Sequence, residues 1–98
     1  RKKIVLPHPD NYFIGHIDNY LSRIKVATLT LSTSLKRGDR ILIKGQTTKP
    51  LIFSVTSMER HYQEIEKAEN GLQVAIRVPS LVRKGDSVFL HTSEKLKN

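Results

Sequence analysis

Two short segments of the chain combine basic side chains with a glycine–aspartate pair at the same spacing. The first is Lys36-Arg37-Gly38-Asp39 and the second is Arg83-Lys84-Gly85-Asp86, and alternating apolar residues follow each of them. Clustered lysine and arginine side chains are typical of contacts to phosphate groups. The first segment also contains the Arg-Gly-Asp tripeptide of cell-adhesion signals. The second copy, with Lys-Gly-Asp, favours a shared turn over recognition by a receptor.

Glycine–aspartate pairs are typical of tight turns. Glycine adopts positive φ without steric cost, and aspartate accepts hydrogen bonds from nearby backbone N–H groups. We therefore predict two structural turns, formed by Gly38 with Asp39 and by Gly85 with Asp86. Each turn should lead into a strand and leave its basic neighbours exposed.

Side chains that could support catalysis or bind a metal are scattered along the sequence. His8, His16, His61 and His91 lack the spacing of metal ligands, and no nucleophile-elbow or zinc-protease motif occurs. A phosphate loop of the G-x-x-x-x-G-K-[ST] type is also missing, which argues against a nucleoside triphosphate site. With no cysteine there is no disulfide and no thiolate zinc site. We predict a non-enzymatic protein without cofactor or metal.

The charge balance favours a polyanionic partner. The 98 residues carry 17 Lys+Arg against 9 Asp+Glu, a formal charge of +8 and a pI near 10.1, in the range typical of nucleic-acid binding. A well-solvated surface with basic ends is the alternative interpretation. The lack of cysteine favours a reducing compartment, and no apolar run reaches membrane-spanning length. We therefore predict a cytoplasmic location and no membrane partner.

Hydrophobic alternation predicts an all-β fold. Short segments with period-two patterning are separated by Gly-Asp pairs, prolines and polar loop residues. This arrangement is typical of a small closed antiparallel β-barrel of about six or seven strands. Pro7 and Pro9 discourage helix in a basic leader over residues 1–12, whose apolar run can dock on the barrel. The barrel should span 13–91, followed by a flexible tail over 92–98. The predicted strands are 13–20, 24–32, 40–45, 51–59, 72–78 and 87–91.

Residues 59–70 support two interpretations. Their composition favours a helix, and Gly71 stands where a helix would end. The segment is short and charged, however, and tertiary context easily overrides propensity in such segments. The residues alone leave the choice open.

The order of these landmarks resembles the second, β-barrel domain of translational GTPases such as elongation factor Tu. The matching segments are LKRGDRILIKG, SVTSMERHYQEIEKAENGLQVAI and VRKGDSVFL, which cover roughly residues 14–90. The resemblance implies a stand-alone domain without GTPase activity and an extended conformation for 59–70. In that family a glutamate, a phenylalanine and a basic residue help to hold the aminoacyl end of tRNA. Glu59 matches the glutamate, while His61 and Tyr62 occupy the other two positions.

Two functional hypotheses follow. The first is a translation-factor-like module that binds tRNA or ribosomal RNA through its basic turns, with His61 and Tyr62 stacking on a base. The alternative is a protein-interaction or accessory domain related to a larger enzyme or factor, with a protein partner. The acidic residues between 59 and 69 could meet such a partner. The predicted RNA-binding residues are Lys36, Arg37, Arg40, Lys44, Lys49, Arg83, Lys84, His61 and Tyr62.

Overall fold

The computed structural model describes residues 11–91 as a set of β-strands joined by turns, which confirms the all-β prediction. The predicted tail and residues 1–10 of the predicted leader lie outside the described residues. Asn11 and Tyr12, which the prediction assigned to the leader, begin the first strand instead. In this part of the chain no helix is long and apolar enough to cross a membrane. The strands are β1 (Asn11–Leu21), β2 (Val26–Leu31), β3 (Leu35–Lys36), β4 (Arg40–Lys44), β5 (Leu51–Ser54), β6 (Met58–Arg60), β7 (Gln63–Glu64), β8 (Lys67–Ala68), β9 (Gln73–Arg77) and β10 (Ser87–His91).

Eight of the strands form one antiparallel sheet in the order β5-β4-β10-β1-β2-β9-β6-β7, and β3 pairs separately with β8. The sheet curls around the core, but over residues 11–91 no ladder joins its edge strands β5 and β7. The predicted closed barrel of six or seven strands is therefore wrong, and the fold is a half-barrel. Closure fails because β7 is only two residues long and the chain continues from it into β8, which pairs with β3.

Two irregularities in β1 help the sheet to curl. Its register shifts between Phe13 and Gly15 against β10, and between Ile17 and Asn19 against β2. An extra residue in one strand bends it and increases its local twist. As a result Ile14 and Ile17 are both buried, although strict alternation would place residues three apart on opposite faces.

The concave face of the sheet holds one apolar core. The alternation predicted for β2 is present, with Ala27, Leu29 and Leu31 turned inward. The other strands contribute mainly branched aliphatic side chains, which fit a pleated surface well. The largest fully buried side chains are Ile14, Ile17, Leu29, Leu31, Leu35, Ile41, Ile43, Met58, Ile76, Val55, Val74 and Val82.

Residues 59–70 are extended, which confirms the conformation implied by the resemblance and excludes the helix. They contain the end of β6, a two-residue turn, β7 and β8. Met58 pairs with Ile76, and Ala68 pairs with Leu35. All four of these side chains are buried, so the tertiary pairing outweighs the local helix propensity.

Both Gly-Asp pairs lie in turns of the same geometry. Gly38 and Gly85 have φ of 94° and 91°. The amide of Asp39 donates to the Lys36 carbonyl at 3.1 Å, and that of Asp86 donates to the Arg83 carbonyl at 3.0 Å. Each aspartate Oδ2 in turn accepts the N–H of the residue three positions earlier, at 3.0 Å from Lys36 and 2.8 Å from Arg83.

Each turn is also tied to a second segment by the same pair of backbone hydrogen bonds. The Gly38 amide donates to the Val55 carbonyl, and the Val55 amide donates to the Asp39 carbonyl. In the second turn Gly85 and Asp86 exchange the corresponding bonds with Ile17. The two sequence repeats are therefore also repeats in hydrogen bonding.

The two turn carboxylates differ in burial, which predicts different costs of removal. Asp86 is buried, whereas Asp39 is only half-buried. We expect Asp86→Ala to lower the free energy of unfolding by about 2–3 kcal/mol and Asp39→Ala by about 1 kcal/mol, because a buried hydrogen bond to a charged acceptor is worth more. Urea unfolding of both variants measures the difference, and equal costs would contradict it.

Candidate functional site

The outer, convex face of the sheet carries a shallow groove of about 580 Å³. We call it the outer groove. Strands β2, β9 and β6 form its floor, the β1–β2 hairpin forms one wall, and the β6–β7 hairpin forms the other. Its lining residues are Leu21, Ile24, Val26, Thr28, Ser57, Glu59, Arg60, His61, Tyr62, Gln73, Val74, Ala75, Ile76 and Arg77.

Both walls contain non-glycine residues with a left-handed backbone. Among the described residues the three such positions are Lys25, at φ 55°, and His61 and Tyr62, at φ 54° and 66°. His61 and Tyr62 are the central residues of the β6–β7 hairpin, because Arg60 pairs with Gln63. A two-residue turn with both φ positive normally uses asparagine or glycine. Bulky residues there cost of order 1–2 kcal/mol each.

The walls of the outer groove are unusually apolar for exposed turns. The exposed fraction is 97% for Tyr62, 58% for Ile24 and 42% for Leu21. The Tyr62 ring therefore gains almost no burial in return for its strained backbone. Strain of this kind clusters at functional positions, and exposed aromatic side chains are typical anchors of protein interfaces.

Charged side chains lie along the floor of the outer groove. Arg60 and Arg77 lie on β6 and β9, and the half-buried Glu59 of β6 pairs with Ala75 of β9. None of these three groups belongs to an ion pair of the described residues. The groove can therefore offer two guanidinium donors and one carboxylate acceptor beside an apolar surface.

A second groove, of about 680 Å³, lies at the first Gly-Asp turn, and we call it the basic groove. Its residues come from β3, β8 and the adjoining ends of β4, β5 and β10. Its lining residues are Ser34, Leu35, Lys36, Gly38, Asp39, Arg40, Ser54, Lys67, Leu90 and His91.

The predicted RNA-binding residues do not form one surface. Lys36 and Arg40 line the basic groove, whereas His61 and Tyr62 line the outer groove. Arg37 forms ion pairs with two carboxylates, because its Nη1 lies 3.8 Å from Glu64 Oε1 and 3.2 Å from Glu66 Oε1.

The remaining predicted residues line neither groove. Lys44 lies over the Phe89 ring at 5.2 Å, and Lys49 belongs to the loop between β4 and β5. Arg83 and Lys84 flank the second turn, at the opposite end of the β4–β10 ladder from the first, because Ser87 pairs with Lys44. Binding of transfer or ribosomal RNA by any of these residues stays a prediction.

Sequence reasoning missed most of the outer groove. It singled out His61 and Tyr62 but not Leu21, Ile24 or Arg77. Ile24 was assigned to a strand, whereas residues 22–25 form the β1–β2 turn. The sequence did contain a signal for this wall of the groove: Ile24 is an apolar residue that follows Ser22 and Arg23 in a short connection between strands.

The three histidines within residues 11–91 lie in different parts of the fold, and the absence of a metal site stays a prediction. Within residues 11–91 no group of three His, Cys, Asp or Glu side chains is placed to hold a metal ion. His61 lines the outer groove and His91 the basic groove. His16 packs edge-on against Phe13, with ring centroids 5.0 Å apart, and His8 lies outside the described residues.

Sequence comparison relates the chain to parts of larger proteins. No protein-family model matches it. It is 39% identical over 77 residues to an uncharacterised protease of Methanocaldococcus jannaschii, and 35% identical over 78 residues to a collagenase of Porphyromonas gingivalis. Each alignment covers 79% of this chain but only 19% and 22% of the two relatives. The chain thus spans about a fifth of the length of the curated relatives it matches.

Solved structures share the fold. Two crystal structures of the C-terminal domain of a putative U32 peptidase from Geobacillus thermoleovorans superpose with TM-scores of 0.75 and 0.73. Sequence identity is 16% and 15%, and 79% and 87% of this chain is covered, against 96% of the other chain in both cases.

These findings correct the predicted resemblance. The relatives are a protease, a collagenase and the terminal domain of a peptidase, so the resemblance to elongation factor Tu is wrong. The translation-factor function predicted from it is wrong for the same reason, and the alternative of an accessory domain related to a larger enzyme is supported instead. The predicted RNA partner stays a prediction. The chain is similar in sequence to a segment of peptidases and similar in fold to the C-terminal domain of one.

Proposed function

We propose that this chain is a non-catalytic accessory domain of a peptidase and holds polypeptide in its outer groove. Its relatives support the first part, because the matched segment is about a fifth of a protease or a collagenase. The bulk of those chains lies outside the match and can supply the catalytic residues.

The single observation that supports the second part is the pair of strained, apolar hairpins that flank the outer groove. An extended polypeptide has apolar side chains, which Tyr62, Ile24 and Leu21 can cover. It also has backbone carbonyl and amide groups, which Arg77 and Glu59 can bind. Interfaces commonly combine a central aromatic anchor with polar groups at the rim.

Binding to an unfolded polypeptide tests the groove. The 98-residue chain is immobilised, and its binding to gelatin, which is denatured collagen, is measured by biolayer interferometry. We expect weak binding in the micromolar range, of the kind seen for small interfaces. The chain alone should leave gelatin uncleaved. Absence of binding at the highest gelatin concentration would contradict the groove assignment.

A chimera tests the accessory role. In the Porphyromonas gingivalis collagenase, the segment that this chain matches is deleted or replaced by this chain. Deletion should lower gelatin hydrolysis, and replacement should restore most of it, because this chain is expected to present the same polypeptide-binding surface as the segment that it replaces. A folded chimera no more active than the deletion would exclude the role. Replacement by an unrelated domain of equal length is the control.

A further inference from the structure

The basic groove lies apart from the outer groove and has an excess of positive charge. Three cations line it, Lys36, Arg40 and Lys67, together with one carboxylate, that of Asp39, so these groups carry a net charge of +2. Concave sites lined by one sign of charge concentrate ligands of the opposite sign. The question is whether the protein already neutralises these cations.

The two lysines of the groove face one another. Lys36 of β3 and Lys67 of β8 are direct partners in a ladder of only two residue pairs. Like charges directly opposite in a β-ladder are destabilising, so one of the two pairs in this small sheet is unfavourable. A bound anion between the two ammonium groups would remove that repulsion.

The neighbouring carboxylates compensate these cations only partly. Lys36 Nζ lies 3.3 Å from Asp39 Oδ1, and Lys67 Nζ lies 3.8 Å from Glu69 Oε2. The two lysine side chains are 63% and 59% exposed, so water screens these pairs. The other oxygen of Asp39 accepts the Lys36 backbone N–H at 3.0 Å and belongs to the turn.

Arg40 completes the set of donors. It begins β4 beside the first turn, its side chain is exposed, and it takes part in none of the ion pairs of the described residues. Guanidinium binds tetrahedral oxyanions through two parallel N–H donors, and ammonium binds them as a point charge. Ser34 and Ser54 also line the groove, and serine hydroxyls can donate further hydrogen bonds.

We propose that the basic groove binds a phosphate group, free or carried by a small molecule. A doubly charged, tetrahedral phosphate can contact both lysines and Arg40 together, whereas a single carboxylate presents one charge in one plane. The site does not depend on the proposed peptidase role, because it shares no lining residue with the outer groove.

Calorimetric titration of the 98-residue chain with inorganic pyrophosphate tests the site, in about 0.15 M salt so that long-range attraction is screened. We expect saturable binding that Lys67→Gln and Arg40→Gln each weaken about tenfold, the loss of one charge-assisted contact. Lys84→Gln removes the same charge at the second turn and should leave affinity unchanged. Citrate, a tricarboxylate, should bind at least tenfold more weakly.

Thermal unfolding gives a second readout. Without anion, Lys67→Gln should unfold at a slightly higher temperature than the natural chain, because the repulsion with Lys36 is gone. With pyrophosphate the natural chain should gain stability and Lys67→Gln should gain little. Equal weakening by Lys84→Gln, equal binding of citrate, or no binding would each overturn the proposal.

Discussion

Replacing Gly15 by alanine is expected to lower the free energy of unfolding by about 4 kcal/mol, a large share of the stability of a small domain. Gly15 has φ of +151°, in a region that residues with a Cβ rarely adopt. A Cβ there would also collide with the carbonyl oxygen of Thr30 in the neighbouring strand. Backbone on both sides holds Gly15 in place, because it pairs with Leu31 of β2 and Val88 of β10. The bulged strand therefore cannot move away without breaking two ladders.

Gly38→Ala is the matched control for this effect. Gly38 also has positive φ, at +94°, but no atom lies within 4 Å of the position its Cβ would take. Its substitution should cost only the backbone strain, about 1–2 kcal/mol. Urea unfolding of the two variants separates strain from collision. If Gly15→Ala is no less stable than Gly38→Ala, the collision with the neighbouring strand β2 adds nothing to the cost of the substitution.

Replacing Tyr62 by glycine is expected to act in opposite directions on stability and on binding. The ring is 97% exposed, so its loss removes almost no packing, while glycine relieves the left-handed strain at φ 66°. The free energy of unfolding should rise by about 1 kcal/mol. Binding to gelatin should fall by at least about 30-fold if the ring is an anchor of the outer groove, since anchors contribute about 2 kcal/mol or more.

Two further variants identify the cause of such a change. Tyr62→Phe keeps the ring and the strain, and should keep most of the binding. Tyr12→Ala removes another exposed aromatic residue, 53% accessible and outside the outer groove, and should leave the binding unchanged. Thermal unfolding and interferometry on the same preparations give both readouts. A loss of stability in Tyr62→Gly would contradict the backbone strain at this turn, and an unchanged affinity would show that the ring is not an anchor of the outer groove.

A gain in stability together with a loss of binding would distinguish a binding site from a merely unfavourable turn. Selection for stability alone would favour asparagine or glycine at such a turn. The chain places His61 and Tyr62 there and Lys25 in the facing hairpin, so within residues 11–91 the left-handed non-glycine positions all lie in the two hairpins that flank the outer groove. Local rules fail in this way at functional surfaces.

Local chemistry in the sequence determined the all-β class, the approximate positions of the strongly alternating strands and the two Gly-Asp turns. The predicted strand over 51–59 is divided into β5 and β6, so its bounds were wrong. Alternation places Ala27, Leu29 and Leu31 on one face because successive side chains in a strand point to opposite sides. The turns repeat because glycine permits positive φ and aspartate binds the backbone three residues earlier. Each of these features depends on a few neighbouring residues, so they can be recognised without the rest of the molecule.

The tertiary structure alone decided whether the sheet closes, the conformation of residues 59–70 and the assembly of the two grooves. Closure depends on whether β5 meets β7, and β8 pairs with β3 instead. Residues 59–70 are extended because Met58 and Ala68 find buried partners in distant strands. The outer groove joins Ile24 to Tyr62, and the basic groove joins Lys36 to Lys67. These contacts link residues from 18 positions apart, as for Met58 and Ile76, to 38 positions apart, as for Ile24 and Tyr62. Their free energies depend on burial and strand register, which no local pattern of residues specifies.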